Sequence, residues 1–290
     1  MNPTEKNGWT PLPHSDEDLQ RARSVPDTPQ TRSPTYRLAW TDEDFLTQRD
    51  LRAVRLQLEL LKPEMTLAER GIRSTVILFG GARIPEPGTK PWAAKNETQS
   101  RNLAENSRYY DEARKFARLC SEHSATSYYR EFVVVTGGGP GVMEAGNRGA
   151  ADCGAPSIGL NIVLPHEQAP NAYVTPELCF NFHYFAIRKM HFMMRAKAVA
   201  VFPGGFGTMD ELFETLTLIQ TGRMEHVPVV LFGRPFWERV IDIDFLAEQG
   251  TISPGDEKLI TFVDTAQEAW DAIAAFYELS GNGTPSGQQS

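Results

Sequence analysis

Residues 203–211 read Pro-Gly-Gly-Phe-Gly-Thr-Met-Asp-Glu and bring a glycine-rich turn, a hydroxyl and two carboxylates to one point of the chain. The apolar run Ala198-Val199-Ala200-Val201-Phe202 leads in, and Leu212, Phe213, Leu216 and Ile219 follow at helical spacing. A buried strand is therefore expected to become a helix here. Glycine permits a sharp turn and close backbone approach to a ligand, and the unpaired N–H groups at a helix start attract an anion. Glu211 and Glu214, three residues apart, fall on one helix face. The stretch predicts a phosphate-sized anion beside a carboxylate base. First-turn acids also complement the helix dipole, but a helix start that takes an anion is an unfavourable place for more negative charge. Asp210 and Glu211 therefore point to catalysis.

Two further strand ends are glycine-rich. Gly80-Gly81-Ala82-Arg83 follows the apolar run 75–79, and Gly137-Gly138-Gly139-Pro140-Gly141 follows 132–136 and opens a helix with Glu144 in its first turn. The second loop lacks the G-x-G-x-x-G spacing of a dinucleotide fingerprint, and no Gly-Lys-Ser/Thr makes it a Walker A loop. One such loop is often only a tight turn; two or three on one sheet edge favour a nucleotide-like ligand. The segment 187–195 adds a cationic cluster, with Arg188 fifteen residues before Pro203. A basic helix is commonly a solvated face, but this one lies one helix and one strand from the glycine-rich turn. A guanidinium there could grip phosphate bidentately or steady charge at a reacting sugar.

Short β-branched or apolar runs at 75–79, 132–136, 157–160, 198–202, 227–232 and 259–263 alternate with helix candidates near 100–122, 141–152, 185–196, 207–221, 235–247 and 265–278. Runs without polar alternation predict a parallel sheet covered on both faces, a doubly wound, Rossmann-like α/β fold with ligands at the strands' carboxyl ends. Residues 161–184, broken by three prolines, read as a long functional loop, and 84–99 as irregular. Asp42 is expected to cap a helix carrying Leu51, Val54, Leu58 and Leu61 and ending at Pro63. The expected organisation is a disordered or extended tail over 1–37, a helical extension over 38–71, the α/β domain over 72–279 and a flexible tail over 280–290.

A chain of 290 residues with net charge −8 lacks the basic excess of a general nucleic-acid or membrane-surface binder. Its three cysteines, Cys120, Cys153 and Cys179, have no CxxC spacing and read as reduced thiols of a cytoplasmic protein. No secretory h-region and no run of eighteen apolar residues is present, so neither export nor membrane insertion is expected. His166, His183 and His191 have no metal-ligand spacing among themselves, and no metal is expected.

The motif Pro203-Gly204-Gly205-Phe206-Gly207-Thr208-Met209-Asp210-Glu211 resembles the PGGxGTxxE signature of the LOG (Lonely Guy) family. Arg188-Lys189 is similar to that family's upstream RK pair, and 137–145 to its second glycine loop. The resemblance spans about residues 72–278. It implies a phosphoribohydrolase that splits a nucleoside 5′-monophosphate into free base and ribose 5-phosphate, although the family was long labelled lysine decarboxylase-like. By this resemblance Glu211 and Arg188 are catalytic, and Gly204, Gly205, Gly207 and Thr208 hold the 5′-phosphate. Gly138, Gly139, Glu144 and Lys189 complete the substrate site, with Gly81 and Arg83 at its mouth. It implies no cofactor and at least a homodimer. The extra N-terminal residues resemble bacterial general nucleotide monophosphate nucleosidases, so a purine nucleotide such as AMP is expected. The alternatives are a cytokinin riboside 5′-monophosphate substrate, or a non-catalytic nucleotide or molybdenum-cofactor carrier, which would need no paired catalytic groups. Lysine decarboxylation needs pyridoxal phosphate on a lysine, and no lysine here sits in a recognisable pocket for it. Base contacts are expected from His166, Asn171 and Phe182.

Overall fold

The computed structural model describes residues 14–165 and 169–279. The expected tail positions 1–13 and 280–290, and His166, lie outside the described residues. The chain divides into two compact units, the first ending at Leu58 and the second beginning at Glu59.

Within the first unit, Ser15–Arg23 (α1) is a helix with no buried residue. Asp42 caps the single turn Glu43–Leu46 (α2), its carboxylate accepting from Phe45 N at 3.3 Å. The chain then breaks, with Arg55 Nη1 donating to Leu46 O and Gln48 O, both at 2.6 Å. Arg52–Glu69 (α3) follows and crosses the division between the units. The expectation of one helix from Asp42 to Pro63 is thus corrected at both ends. Asp42 caps a separate turn, and α3 continues through Pro63.

Seven parallel strands form the second unit's sheet in the order β4-β3-β2-β1-β5-β6-β7. They are Thr75–Phe79 (β1), Val133–Thr136 (β2), Ser157–Ile162 (β3), Cys179–Phe182 (β4), Ala196–Val201 (β5), Val229–Phe232 (β6) and Ile260–Val263 (β7). The doubly wound fold is as expected, and the reason is visible in the alternation of two apolar sets. Val76 and Leu78 join Tyr110 and Phe116 of Arg108–Ala125 (α5), Ala145 of Val142–Asp152 (α6) and Ile273 of Ala266–Phe276 (α11). Ile77 and Phe79 point the other way, to Phe192 of Phe185–Met193 (α7), Leu212 of Phe206–Gln220 (α8) and Trp237 of Arg234–Val240 (α9). A strand buried on both faces has no polar side to alternate with. At roughly 1.5–3 kcal/mol for each large side chain removed from water, both layers are needed to order the sheet.

Three element assignments differ from the expectation. The region 161–184 is not loop throughout, since it finishes β3 and contains edge strand β4, paired from Gly159↔Cys179 to Ile162↔Phe182. In β4, Phe180 and Phe182 are buried while Asn181 is exposed, the period-two pattern of an edge rather than an unbroken apolar run. The helix expected over 100–122 is two, Glu97–Asn106 (α4) and α5, with Asn96 capping the first through Gln99 N. The helix expected over 235–247 is likewise α9 followed by Ile243–Glu248 (α10), which Asp242 caps through Phe245 N at 2.9 Å.

A single buried amide ties the glycine loop after β2 to its surroundings. Thr136 Oγ1 donates to Asn147 Oδ1 at 2.7 Å, Asn147 Nδ2 donates to Ser157 Oγ at 3.0 Å, and Asn171 Nδ2 donates to Asn147 Oδ1 at 2.9 Å. Thr136 Oγ1 also accepts from Gly138 N at 2.9 Å. Asn147→Leu strands several buried polar groups at once, and a stability loss of about 3 kcal/mol is expected in urea denaturation. A loss below about 0.5 kcal/mol would show that the network is dispensable.

Candidate active site

Strand order reverses direction at β1, with β2 on one side and β5 on the other. In an open parallel sheet, the crevice beyond the carboxyl ends of such strands is where ligands bind. Both loops that leave it are glycine-rich, and they are fastened together. Phe202 N donates to Phe79 O at 2.8 Å, Gly81 N to Pro203 O at 3.0 Å, and Val142 N to Gly81 O at 3.3 Å. Around this knot lies a cavity of about 960 Å³.

Helix α8 opens on the cavity with Gly205 at its N-cap and no side-chain capping bond. Its first-turn N–H groups therefore face outward, as an anion site requires. Thr208 is buried and folds back over the turn; a Cβ at Gly204 would collide with its Oγ1. One turn on, Glu211 presents a side chain only 8% exposed. Its Oε2 is buried without a hydrogen-bond partner, and its Oε1 lies 4.0 Å from Arg188 Nη1.

Arg188 reaches this point from α7. Its Nε donates to Leu160 O at 2.7 Å, and a Cβ on Gly137 would lie 2.6 Å from its Nη2, so a side chain at 137 would push the guanidinium aside. Lys189, the next residue, turns elsewhere. Its Nζ lies 2.9 Å from Asp210 Oδ2 and 3.0 Å from Glu214 Oε2. Burial pushes the Glu211 carboxyl up to about 7, although Lys189 and Arg188 both pull it down. An acid balanced there exchanges a proton near neutrality, as general acid–base chemistry requires.

The structure brings Gly81, Arg83, Arg188, Gly204, Gly205, Gly207, Thr208 and Glu211 to one cavity wall. Gly138, Gly139, Glu144 and Lys189 are not on that wall. Gly138 faces Asn161, Gly139 O accepts from Asn171 Nδ2 at 3.0 Å, and Glu144 Oε1 accepts from Tyr110 OH at 2.8 Å. Of the expected base contacts, Asn171 is held by that loop and Phe182 is core. The sequence reading missed Leu103 and Asn106 on α4, with Ile162, Leu164, Phe185 and Val240, which make much of the wall apolar. Only the end of α4's amphipathic spacing hinted at the first two. Among the described residues no group of three or more His, Cys, Asp and Glu side chains is placed to hold a metal, and no helix is long and apolar enough to cross a membrane.

Because Glu211 keeps its proton more tightly when folded, stability attributable to it falls as pH rises from its ordinary value of 4.5 through about 7. Above that the full cost, on the order of 3 kcal/mol, is present. Glu211→Gln is therefore expected to raise the melting temperature by several degrees at pH 8 and by little at pH 4.5, in thermal melts at both values. An equal gain at both would contradict the burial argument.

Residues 143–273 match the family model described as Possible lysine decarboxylase. The chain is 29% identical over 156 residues to a probable cytokinin riboside 5′-monophosphate phosphoribohydrolase, LOGL3, of Oryza sativa subsp. japonica, covering 50% of this chain and 68% of that one. Against the Arabidopsis thaliana cytokinin riboside 5′-monophosphate phosphoribohydrolase LOG3 it is 27% identical over 175 residues, covering 53% of this chain and 80% of the relative. Among solved structures, a Moco carrier protein from Chlamydomonas reinhardtii aligns with a TM-score of 0.43 at 16% identity, covering 71% of this chain and 98% of that one.

Proposed function

We propose, for a chain that is a relative of the LOG family through its α/β sheet, that it hydrolyses the N-glycosidic bond of a nucleoside 5′-monophosphate to free base and ribose 5-phosphate. AMP is the substrate this reading favours. The observation that carries it is the pairing of an uncapped helix start with a buried carboxylate one turn away, Glu211 beside Arg188.

The 5′-phosphate sits at the first turn of α8, against Gly204, Gly205, Gly207 and Thr208, where N–H groups and dipole favour a dianion. The sugar then lies towards Glu211. As the C1′–N bond lengthens, positive charge grows on the ribose ring, and the ionised carboxylate stabilises it and takes a proton from the attacking water. Water oxygen bonds to C1′, the bonding pair leaves with the base nitrogen, and the proton ends on the departing base. Arg188 holds the sugar and phosphate side while keeping Glu211 within reach of ionisation. No step calls on a cofactor. At least a dimer is part of this reading, supported by the exposed apolar side chains of Phe185, Met190 and Met194 around α7.

Incubation with AMP should release adenine and ribose 5-phosphate, and Glu211→Gln and Arg188→Ala should each lower kcat at least about 100-fold. The kcat/KM profile should lose activity below an apparent pKa of about 7, because the ionised carboxylate is the working form. Intact AMP, CMP, GMP and IMP after incubation with wild-type protein would overturn the assignment, and wild-type rates in both variants would overturn the residues.

The preference for adenine is supported by Asn106, a residue of the cavity wall. One amide offers a donor and an acceptor together, the pattern that matches adenine's N7 and N6 edge. An aspartate at that position accepts only. Asn106→Asp is expected to lower kcat/KM for AMP about tenfold, a loss of one hydrogen bond, and to lower the GMP to AMP ratio, because guanine offers only the acceptors N7 and O6 on that edge. An unchanged ratio in parallel assays would remove Asn106 from base recognition. The apolar wall of Leu103, Ile162, Leu164 and Val240 favours a second reading, AMP carrying an apolar N6 substituent as in a cytokinin nucleotide. A higher kcat/KM for N6-isopentenyl-AMP than for AMP would select it.

A further inference from the structure

We propose that Glu59 and Glu64 of α3 form a clamp that positions Arg188, with Glu59 as its decisive residue. The proposal rests on the hydrolase reading above only for its kinetic consequence.

Helix α7 begins without help from its own sequence, since Tyr184 at the N-cap provides no side-chain capping bond. Glu59 supplies it from 124 residues away. Its Oε1 accepts from His183 N at 2.8 Å and its Oε2 from Tyr184 N at 3.1 Å. A carboxylate receiving two amides just ahead of a helix satisfies donors left orphaned there and opposes the positive end of the dipole.

The same residue holds α7 a second time, through its backbone. Within a helix the carbonyl of Glu59 would accept from the amide of residue 63. That residue is Pro63, which has no N–H. The released Glu59 carbonyl accepts instead from His191 Nε2 at 3.2 Å, and the His191 ring is almost wholly buried. A third hold lies just beyond the helix end, where Glu64 binds Arg195 through both carboxylate oxygens. Arg195 Nε donates to Ile72 O at 3.2 Å, which fastens this end to the chain entering β1.

Arg188 sits between these attachments, one turn from the amides that Glu59 holds. Its Nε donates to Leu160 O, its guanidinium lies over the Phe192 ring, and it must clear Gly137 to approach Glu211. A small rotation or slide of α7 carries the guanidinium off this path. Misplacement of a reacting group by about 1 Å can cost on the order of 100-fold in rate. Glu59 does not line the cavity and is therefore a positioning residue.

Glu59→Gln is isosteric and removes one of the two acceptors, since an amide nitrogen cannot accept. With its melting temperature measured as a check on folding, the variant should show kcat for AMP lowered about 10- to 100-fold, with any rise in KM no larger than that of Arg188→Ala. In the Arg188→Ala background the same change should cause almost no further loss, because both act through one guanidinium. A variant with full wild-type turnover, or losses that multiply, would overturn the proposal. A readout independent of turnover is the Arg188 Nε–H resonance and the His183 and Tyr184 amides by NMR hydrogen exchange. All three should exchange faster in Glu59→Gln, and unchanged Arg188 protection would overturn the clamp. If wild-type protein hydrolyses none of the four nucleotides, the hydrolase reading fails, and the exchange measurement still decides the clamp.

Discussion

Taking the Glu211 carboxylate out of water carries a penalty of several kcal/mol if it is to ionise, and much of the architecture around it is a response to that penalty. Two cations are brought within reach of it, Arg188 directly and Lys189 through the neighbouring acids Asp210 and Glu214. They leave it short of full compensation, so the proton is held until near neutrality. A site with more positive charge would hold a permanently ionised acid, and one with less would hold a permanently neutral one. The division of labour between adjacent residues on α7 sets this balance, with Lys189 engaging Asp210 and Glu214 and Arg188 left beside Glu211.

Position follows from topology. Strands β1 and β5 are neighbours in the sheet though separated by three strands in the chain, and this juxtaposition sets Gly80-Gly81 against Pro203-Gly204. The loop bonds from Phe79, Gly81 and Val142 then make one rigid rim from three glycine turns. Helix α8 belongs to both the rim and the core, since Leu212 and Ile219 are buried in the same helix that opens at Gly205. Fixing the sheet therefore fixes the acid.

The parallel sheet and the rim were legible in the sequence because their signals are local and redundant. Unbroken apolar runs marked six strands, and each glycine turn followed one of them. Edge strand β4 was hidden because alternation in Cys179–Phe182 is short and three prolines precede it. Side-chain placement was legible where the motif itself dictated it, as for Thr208 and Glu211. It was not legible for Lys189, whose direction depends on acids one helix away, or for Asn106 and Leu103, which reach the cavity from a helix in a stretch that carried no motif. Glu144 has a regular motif position, and its Oε1 accepts from Tyr110, 34 residues earlier, a contact that no local signal announces.

Pro63 gives the fold a mark that can be read without coordinates. Any other residue there would offer an amide to the Glu59 carbonyl, so the bond to His191 is secured by a missing hydrogen rather than by an added group. Glu59 and Pro63, spaced by four, with a distant His191 three residues after Arg188, form a three-point signature of long-range contact. Sequences that carry the glycine motif and this trio together would share the clamp, and those that carry the motif without the proline would have to steady the same arginine by other means.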